Sequence, residues 1–294
     1  MKVTIFTRFW MCCVLFAASV VNSLAADRLV IIGEAVWGGW SIDDGIIMSS
    51  TSNDVWKATT HLEADKGFKF LTTNDFGGLE YRAGDSDVTL AVNEATNLVS
   101  SEDNSEDKKF MVSESANYNI VCDLANKTIT VSKADYQDHA IKYNALWMVG
   151  SATSGGWSID QGTQLSQDAT NPLVYTATTY LSTGEFKVAT NKYRDFGQNF
   201  FMRDANDDSK VVLGGNDSKW NITEAGTYDV ALNTADMTIS IVKNVPSSIS
   251  SVEAEVNAPV EYFTLDGKRV NNISAKGLYI KRQGGKAVKV VVVE

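Results

Sequence analysis

The hexapeptide Gly-Gly-Trp-Ser-Ile-Asp occurs twice in this chain, at 38–43 and 155–160, and it marks a tandem duplication. Each copy follows a short apolar stretch containing a glycine, Gly33 or Gly150, at one shared offset (150 − 33 = 157 − 40 = 117). Further matches arrive in the same order. Trp56-Lys57-Ala58-Thr59-Thr60-His61-Leu62 answers Tyr175-Thr176-Ala177-Thr178-Thr179-Tyr180-Leu181, and Gly67-Phe68-Lys69-Phe70 answers Gly184-Glu185-Phe186-Lys187-Val188. Asp75-Phe76-Gly77 answers Asp195-Phe196-Gly197, and the stretch from Tyr118 to Val131 answers that from Tyr228 to Ile241. A period of roughly a hundred residues is domain-sized, well above the 20 to 50 residues of solenoid repeats.

Nearly every readable segment alternates at period two, as in Trp56-x-Ala58-x-Thr60-x-Leu62 and Tyr228-x-Val230-x-Leu232. Short strands rich in Val, Ile, Thr and aromatics, separated by Gly, Asn, Asp and Ser, predict an all-β chain of sandwich domains. Two such domains fit, at 27–134 and 145–244. Between them Ala134 to Ala140 reads as a short polar linker that lets the units reorient. The acidic stretch Ser100 to Asp107 reads as a solvated loop. Asp204-x-Asn206-x-Asp208 echoes the start of a calcium loop, but Ser209 and Gly215 replace the expected glycine and closing glutamate, so no metal is expected. After Pro246 a serine-rich hinge, Ser247 to Ser251, leads into a small C-terminal β-module at 252–294, marginal in stability by itself.

Residues 1–25 combine Lys2 and Arg8, an apolar run from Phe9 to Ala18, and Ser23-Leu24-Ala25, the signature of a cleaved secretory signal peptide. An uncleaved membrane anchor is the alternative, but the apolar run falls short of the ~20 residues that span a bilayer. Removal leaves Cys122 as the only cysteine, which excludes an intramolecular disulfide; its place on an alternating strand face predicts a buried small hydrophobe. Residues 27–245 hold 17 basic and 31 acidic side chains, a balance of 17 − 31 = −14. Such a body repels phosphate backbones, so nucleic acid is excluded as a partner.

Catalysis finds little support. The only two histidines are His61, replaced by Tyr180 in the second copy, and His139 in the linker. There is no nucleophile elbow, zinc-type spacing or phosphate-cradling loop, and the carboxylates are not reproduced between copies. No catalytic residue, cofactor or metal is assigned. What repeats is an aromatic ring with an amine: Trp40 and Trp157 after Gly-Gly turns, Lys69 and Lys187 interrupting apolar strands and pointing away from the face that buries their neighbours. A flat ring stacks on a pyranose face and an ammonium donates to sugar hydroxyls, so each copy is a candidate glycan site. Trp37, Asn74, Phe76, Asn191 and Phe196 are candidate accessory rings and amides, with Tyr81 and Phe200 as further candidates for a second ring. The alternative for the tryptophans is a core anchor, and for the lysines a chain snorkelling from a solvated face. Trp56 and Tyr175 read as core.

The order strand-Gly, Gly-x-Trp, aromatic-x-Ala, Phe-Lys-Phe and Asn/Asp with an aromatic resembles the starch-binding modules appended to amylases. It is more similar still to the repeats of the SusE/SusF-type outer-membrane proteins of Bacteroidetes. The resemblance covers about 27–244 and implies Ig-like folds, a non-catalytic surface protein, and α-glucan contact at Trp40, Lys69, Trp157 and Lys187. The tail, with Tyr262-Phe263-Thr264-Leu265-Asp266-Gly267-Lys268 and Lys276-Gly277-Leu278-Tyr279-Ile280, resembles a type IX secretion sorting domain, implying the secretion machinery and the outer-membrane surface as partners. The alternative for the tail is a mini-domain packed on the second sandwich. The expected function is therefore an exported glycan-binding protein, with a surface interaction or adhesin-type protein as the alternative.

Overall fold

A computed structural model describes residues 26–244 and 259–293, apart from 53, 272, 274 and 285. The signal-peptide segment and the serine-rich hinge lie outside the described residues. The fold is all-β: among the described residues the only helices are the 3-10 turns Ile42–Asp44 and Ile159–Gln161.

Strand Val55–Leu62 shows how alternation becomes a sandwich. Trp56, Ala58, Thr60 and Leu62 are buried while the residues between them are exposed or half-buried. Its partner Ala116–Asp123 sets Cys122 against Trp56, Ile120 against Ala58 and Tyr118 against Thr60. In the second copy Tyr175, Ala177 and Thr179 face Leu232, Val230 and Tyr228 in the same register. The first sandwich closes this sheet over a second one built from Ile46–Ile47, Val30–Gly33, Phe68–Leu71 and Phe110–Met111. Between them lies a core containing Ile31, Phe68, Phe70, Phe110, Tyr118 and Ile120. In the second sandwich, strand Thr163–Gln167 pairs with both Ala145–Val149 and Val174–Leu181 and so joins its two halves into one sheet path. The first copy breaks the equivalent segment into Ile46–Ile47 and Ser49–Ser52. Tyr118 donates to the Glu114 carbonyl and Tyr228 to that of Glu224, the backward tyrosine bond that pins a corner in Ig-like sandwiches. Cys122 is fully buried, and burial pushes its thiol pKa up.

The linker does not behave as the sequence suggested. Asn117 donates to the carbonyls of Tyr136 and His139, and Gln137 to those of Asn117 and Ala134. Ile141 is buried and its carbonyl takes the His61 amide and the Thr60 hydroxyl. Side-chain amides thus stitch the connection onto the first sandwich. Asn144 continues the seam, donating to the Ile47 carbonyl and accepting from the Thr59 amide. Beyond it Val30 and Ile47 of the first copy share an apolar cluster with Trp147, Val149, Phe200 and Met202 of the second. Joined by buried apolar surface and satisfied hydrogen bonds, the two repeats are held in one arrangement instead of reorienting.

The C-terminal unit, considered by itself, is a four-stranded sheet in the order Arg269–Val270, Val260–Phe263, Gly277–Gln283, Lys286–Val292. Among its described residues none is a buried hydrophobic; Leu265, Val288, Val291 and Val293 are all more than half exposed. Its described strands form one sheet without a second layer among the described residues of the unit.

Candidate functional site

Each Gly-Gly-Trp turn is a hydrogen-bonded structure. The amide of Gly33 donates to the Gly39 carbonyl, that of Val36 to Gly33, that of Gly39 to Val36 and that of Ser41 to Gly38. Gly150, Thr153, Gly156 and Ser158 repeat these bonds 117 residues later. Gly39 and Gly156 adopt φ of 58° and 59°, a left-handed conformation that favours glycine, with open space around the missing Cβ. The turn then delivers the next residue outward: Trp40 is 36% and Trp157 38% exposed, and neither belongs to a core cluster.

The lysines point to the outer face of their sheets, as period two requires, but they are not solvated. Lys69 is 4% and Lys187 5% exposed, because loops roof that face. The Lys69 Nζ lies 6.0 Å from the Trp40 ring and 5.7 Å from that of Phe76; Lys187 lies 5.1 Å from Phe196 and 4.0 Å from Phe200. Such cation–ring contacts are stronger when desolvated. Phe76 and Phe196 are half exposed on the loops after the lysine strands, and Phe76 shares Lys69 with Trp40 as a neighbour. Trp157 and Phe196 stand 6.3 Å apart at 53°, an angled pair, and Phe196 stacks on the buried Phe200.

Sequence reasoning missed the anions and a second amine. Asp107 accepts from Lys69 (3.0 Å) and pairs with Lys109 (2.9 Å); Asp217 accepts from Lys187 (2.9 Å) and Lys219 (2.8 Å). Lys109 and Lys219 sit 5.5 Å and 5.8 Å from the rings of Trp40 and Trp157. The signal was present, since the offset of 110 that relates Tyr118 to Tyr228 also aligns Asp107-x-Lys109-Phe110 with Asp217-x-Lys219-Trp220. The acidic stretch 100–107 is therefore not simply a solvated loop. Burial pushes the Asp107 carboxyl up, but hydrogen bonds from Lys109 and Lys69 outweigh it and hold its pKa at about 2. Asp217 is also held below the usual carboxylate range, by hydrogen bonds from Lys219 and Lys187. Both acids are ionised at neutral pH, and each bridges two ammonium groups beneath or beside a ring.

The two sites differ beneath that plan. Strand Glu80–Arg82 takes the place of Phe200–Arg203, with Glu80 opposite Leu71 as Phe200 is opposite Ala189. The first site consequently buries a charge cluster: Glu80, 6% exposed, accepts from Lys69 at 2.7 Å, and Arg82 lies 3.5 Å from Glu80. The second puts an apolar ring under its lysine.

Three accessory assignments are corrected. Trp37 is no platform ring: it packs edge-on against Tyr143 at 5.2 Å and touches the cores of both sandwiches. Asn191 is 1% exposed, its amide donating to the carbonyls of Ile42 and Asp43 across the repeat junction. Asn74 is exposed, but its side chain accepts from Arg28 and its carbonyl from Arg194. Tyr81 packs against the first core. Asp208, in the segment that echoed a calcium loop, pairs with Arg203.

Residues 145–240 match the family described as SusF/SusE starch specific CBMs. That span contains Trp157, Lys187, Phe196, Asp217 and Lys219. No curated protein matches the chain. Among solved structures, the crystal structure of SusF from Bacteroides thetaiotaomicron aligns with 13% identity and a TM-score of 0.31, over 88% of this chain and 57% of that one. Among the described residues no helix is long and apolar enough to cross a membrane.

Proposed function

We propose that this chain is a non-catalytic, exported glycan-binding protein that takes a starch-like α-glucan at Trp40, Phe76 and Lys109 in the first repeat and at Trp157, Phe196 and Lys219 in the second. Lys69 and Lys187 act from below, holding the acids and rings in place. The observation that carries the proposal is the recurrence of one constellation in both sandwiches: an exposed Phe over the buried ammonium and an exposed Trp over the Asp-linked second amine. The match of the second repeat to starch-specific modules supports the ligand class. So does the 53° angle between Trp157 and Phe196, since two rings that are not coplanar suit a curved α-glucan better than a flat β-linked ribbon. Ring stacking adds about 1 kcal/mol per contact, so each site alone is weak.

Native electrophoresis of the chain from Ala26 to Glu294 through amylopectin, pullulan and β-glucan gels tests this. Retardation is expected in the α-glucan gels only, and its loss in the Trp40→Ala/Trp157→Ala variant with an unchanged melting temperature. Retardation unaffected by the double substitution sinks the site; a variant that unfolds makes the rings core anchors.

The tail completes the proposal as a secretion and sorting module for the outer surface. Its sheet, with no buried hydrophobic among the described residues, supports a segment recognised and processed by other proteins more than an independent domain. Removing 252–294 is expected to leave the protein in the periplasm when cell fractions are immunoblotted; unchanged surface display returns the tail to a mini-domain role.

A further inference from the structure

The loops that carry the rings of the two repeats are tied to one another. Arg194, two residues before Phe196, pairs with Asp43, three residues after Trp40, and donates to the carbonyl of Asn74 at 3.1 Å, two residues before Phe76. Asn199 donates to Asp44 at 3.0 Å, beside the same Trp40 turn. One loop of the second repeat therefore contacts both ring-bearing loops of the first.

Alongside this tie runs a cleft of about 470 Å³, walled by Arg28 and Asn74 from the first repeat and by Asp160, Lys192, Tyr193 and Phe196 from the second. Its size falls within the ~300–1,000 Å³ typical of small-molecule sites. Phe196 belongs both to this cleft and to the second platform. The cleft's chemistry suits a sugar: the Tyr193 ring has the Arg28 guanidinium 4.2 Å from its centroid and the Lys192 ammonium at 4.9 Å, and these cations line the space with the Asp160 carboxylate.

We propose that the two platforms and this cleft form one continuous groove, so that a single long α-glucan chain, rather than two short ones, is the ligand the molecule is built for. The inference rests on the α-glucan reading of the platforms above and extends it to the space between them. Because the junction is packed and not a loose tether, the second platform is already positioned when the first is occupied. The gain is that of an intramolecular second contact without the ordering cost of a flexible linker.

Isothermal titration of the chain from Ala26 to Glu294 with maltotriose and with a size-fractionated short amylose separates the possibilities. The groove requires one amylose per protein chain, bound roughly tenfold or more tightly than maltotriose. It also requires Arg28→Ala/Lys192→Ala to weaken amylose binding by a larger factor than maltotriose binding. Two amylose chains per protein at the affinity of maltotriose overturns the groove and leaves the two-site function standing. Equal losses on both ligands in the cleft variant likewise remove the cleft from the binding path. Absence of binding by either ligand overturns the function itself and the groove with it.

Discussion

Gly150→Ala is expected to lower the melting temperature of the chain by roughly 10 °C, whereas Gly156→Ala, six residues away, should shift it by only a few degrees. Gly150 sits at φ 150°, and a Cβ there would lie 2.1 Å from the Glu185 carbonyl oxygen and 2.6 Å from the Phe186 Cα. Both are backbone atoms of the strand that carries Lys187, so no side chain can swing aside. Overpacking costs about 1–3 kcal/mol and a strained backbone a similar amount, about 4 kcal/mol together. That is a large share of the ~5–15 kcal/mol that holds a domain folded. Gly33 makes the same approach to Gly67 and Phe68. At Gly156 a Cβ meets nothing within 4 Å, and only the left-handed conformation is penalised, by about 1–2 kcal/mol. Scanning calorimetry of both variants decides the matter: equal shifts would show that close approach of the strands is not what demands a glycine at 150. Because the Gly150 amide also closes the turn on the Gly156 carbonyl at 2.8 Å, Gly150→Ala should weaken glucan retention as well.

Lys69→Met and Lys187→Met should differ sharply, although the two lysines are repeat equivalents. Removing Lys69 strands Glu80, whose side chain is 8% exposed, in a site where only Arg82 at 3.5 Å remains close, together with the partly exposed Asp107. Breaking a buried pair by deleting one partner costs about 3–5 kcal/mol, and Arg82 keeps the loss near the lower end. Removing Lys187 leaves Asp217, whose side chain is 60% exposed and still paired with Lys219 at 2.8 Å, while a methionine packs against Phe200. There the expected cost is about 1 kcal/mol or less. Urea unfolding of the two variants, with m-values checked for constancy, measures the difference. Closely similar midpoints would mean that water reaches Glu80 and that the cluster is not desolvated as its burial indicates.

Much of the architecture could be read before any fold was known, and the reason is local. Alternation at period two specifies which residues of Val55–Leu62 and Gly226–Asn233 face the core, and the duplicated glycines specify the turns. The grouping of Trp40 with Lys69 and of Trp157 with Lys187 followed from order alone, because neighbouring strands and their connecting turn are close in any sandwich. What covers a sheet's outer face is a different kind of fact. Lys69 reads as a solvated amine because its two neighbours alternate with it; it is buried because Asp107, some forty residues later, and the loop bearing Phe76 close over it.

The junction was equally hidden. Trp37 and Asn191 have the composition of ligand contacts and act as packing and hydrogen-bonding residues between the repeats. The run from Ala134 to Ala140 is polar and reads as loose, but its Tyr136 and His139 carbonyls accept from Asn117 of the first sandwich, and its Gln137 donates back to the Asn117 carbonyl. By itself the sequence determined an all-β chain with duplicated sandwiches and a buried Cys122, since these depend on periodicities and turn residues a few positions apart, while it left each Gly-Gly-Trp ring open between surface and core. The tertiary structure alone decided that the lysines are buried, that two aspartates bridge the amines, and that the repeats are locked side by side. Those outcomes depend on desolvation and on partners tens to more than a hundred residues distant, which no local pattern encodes.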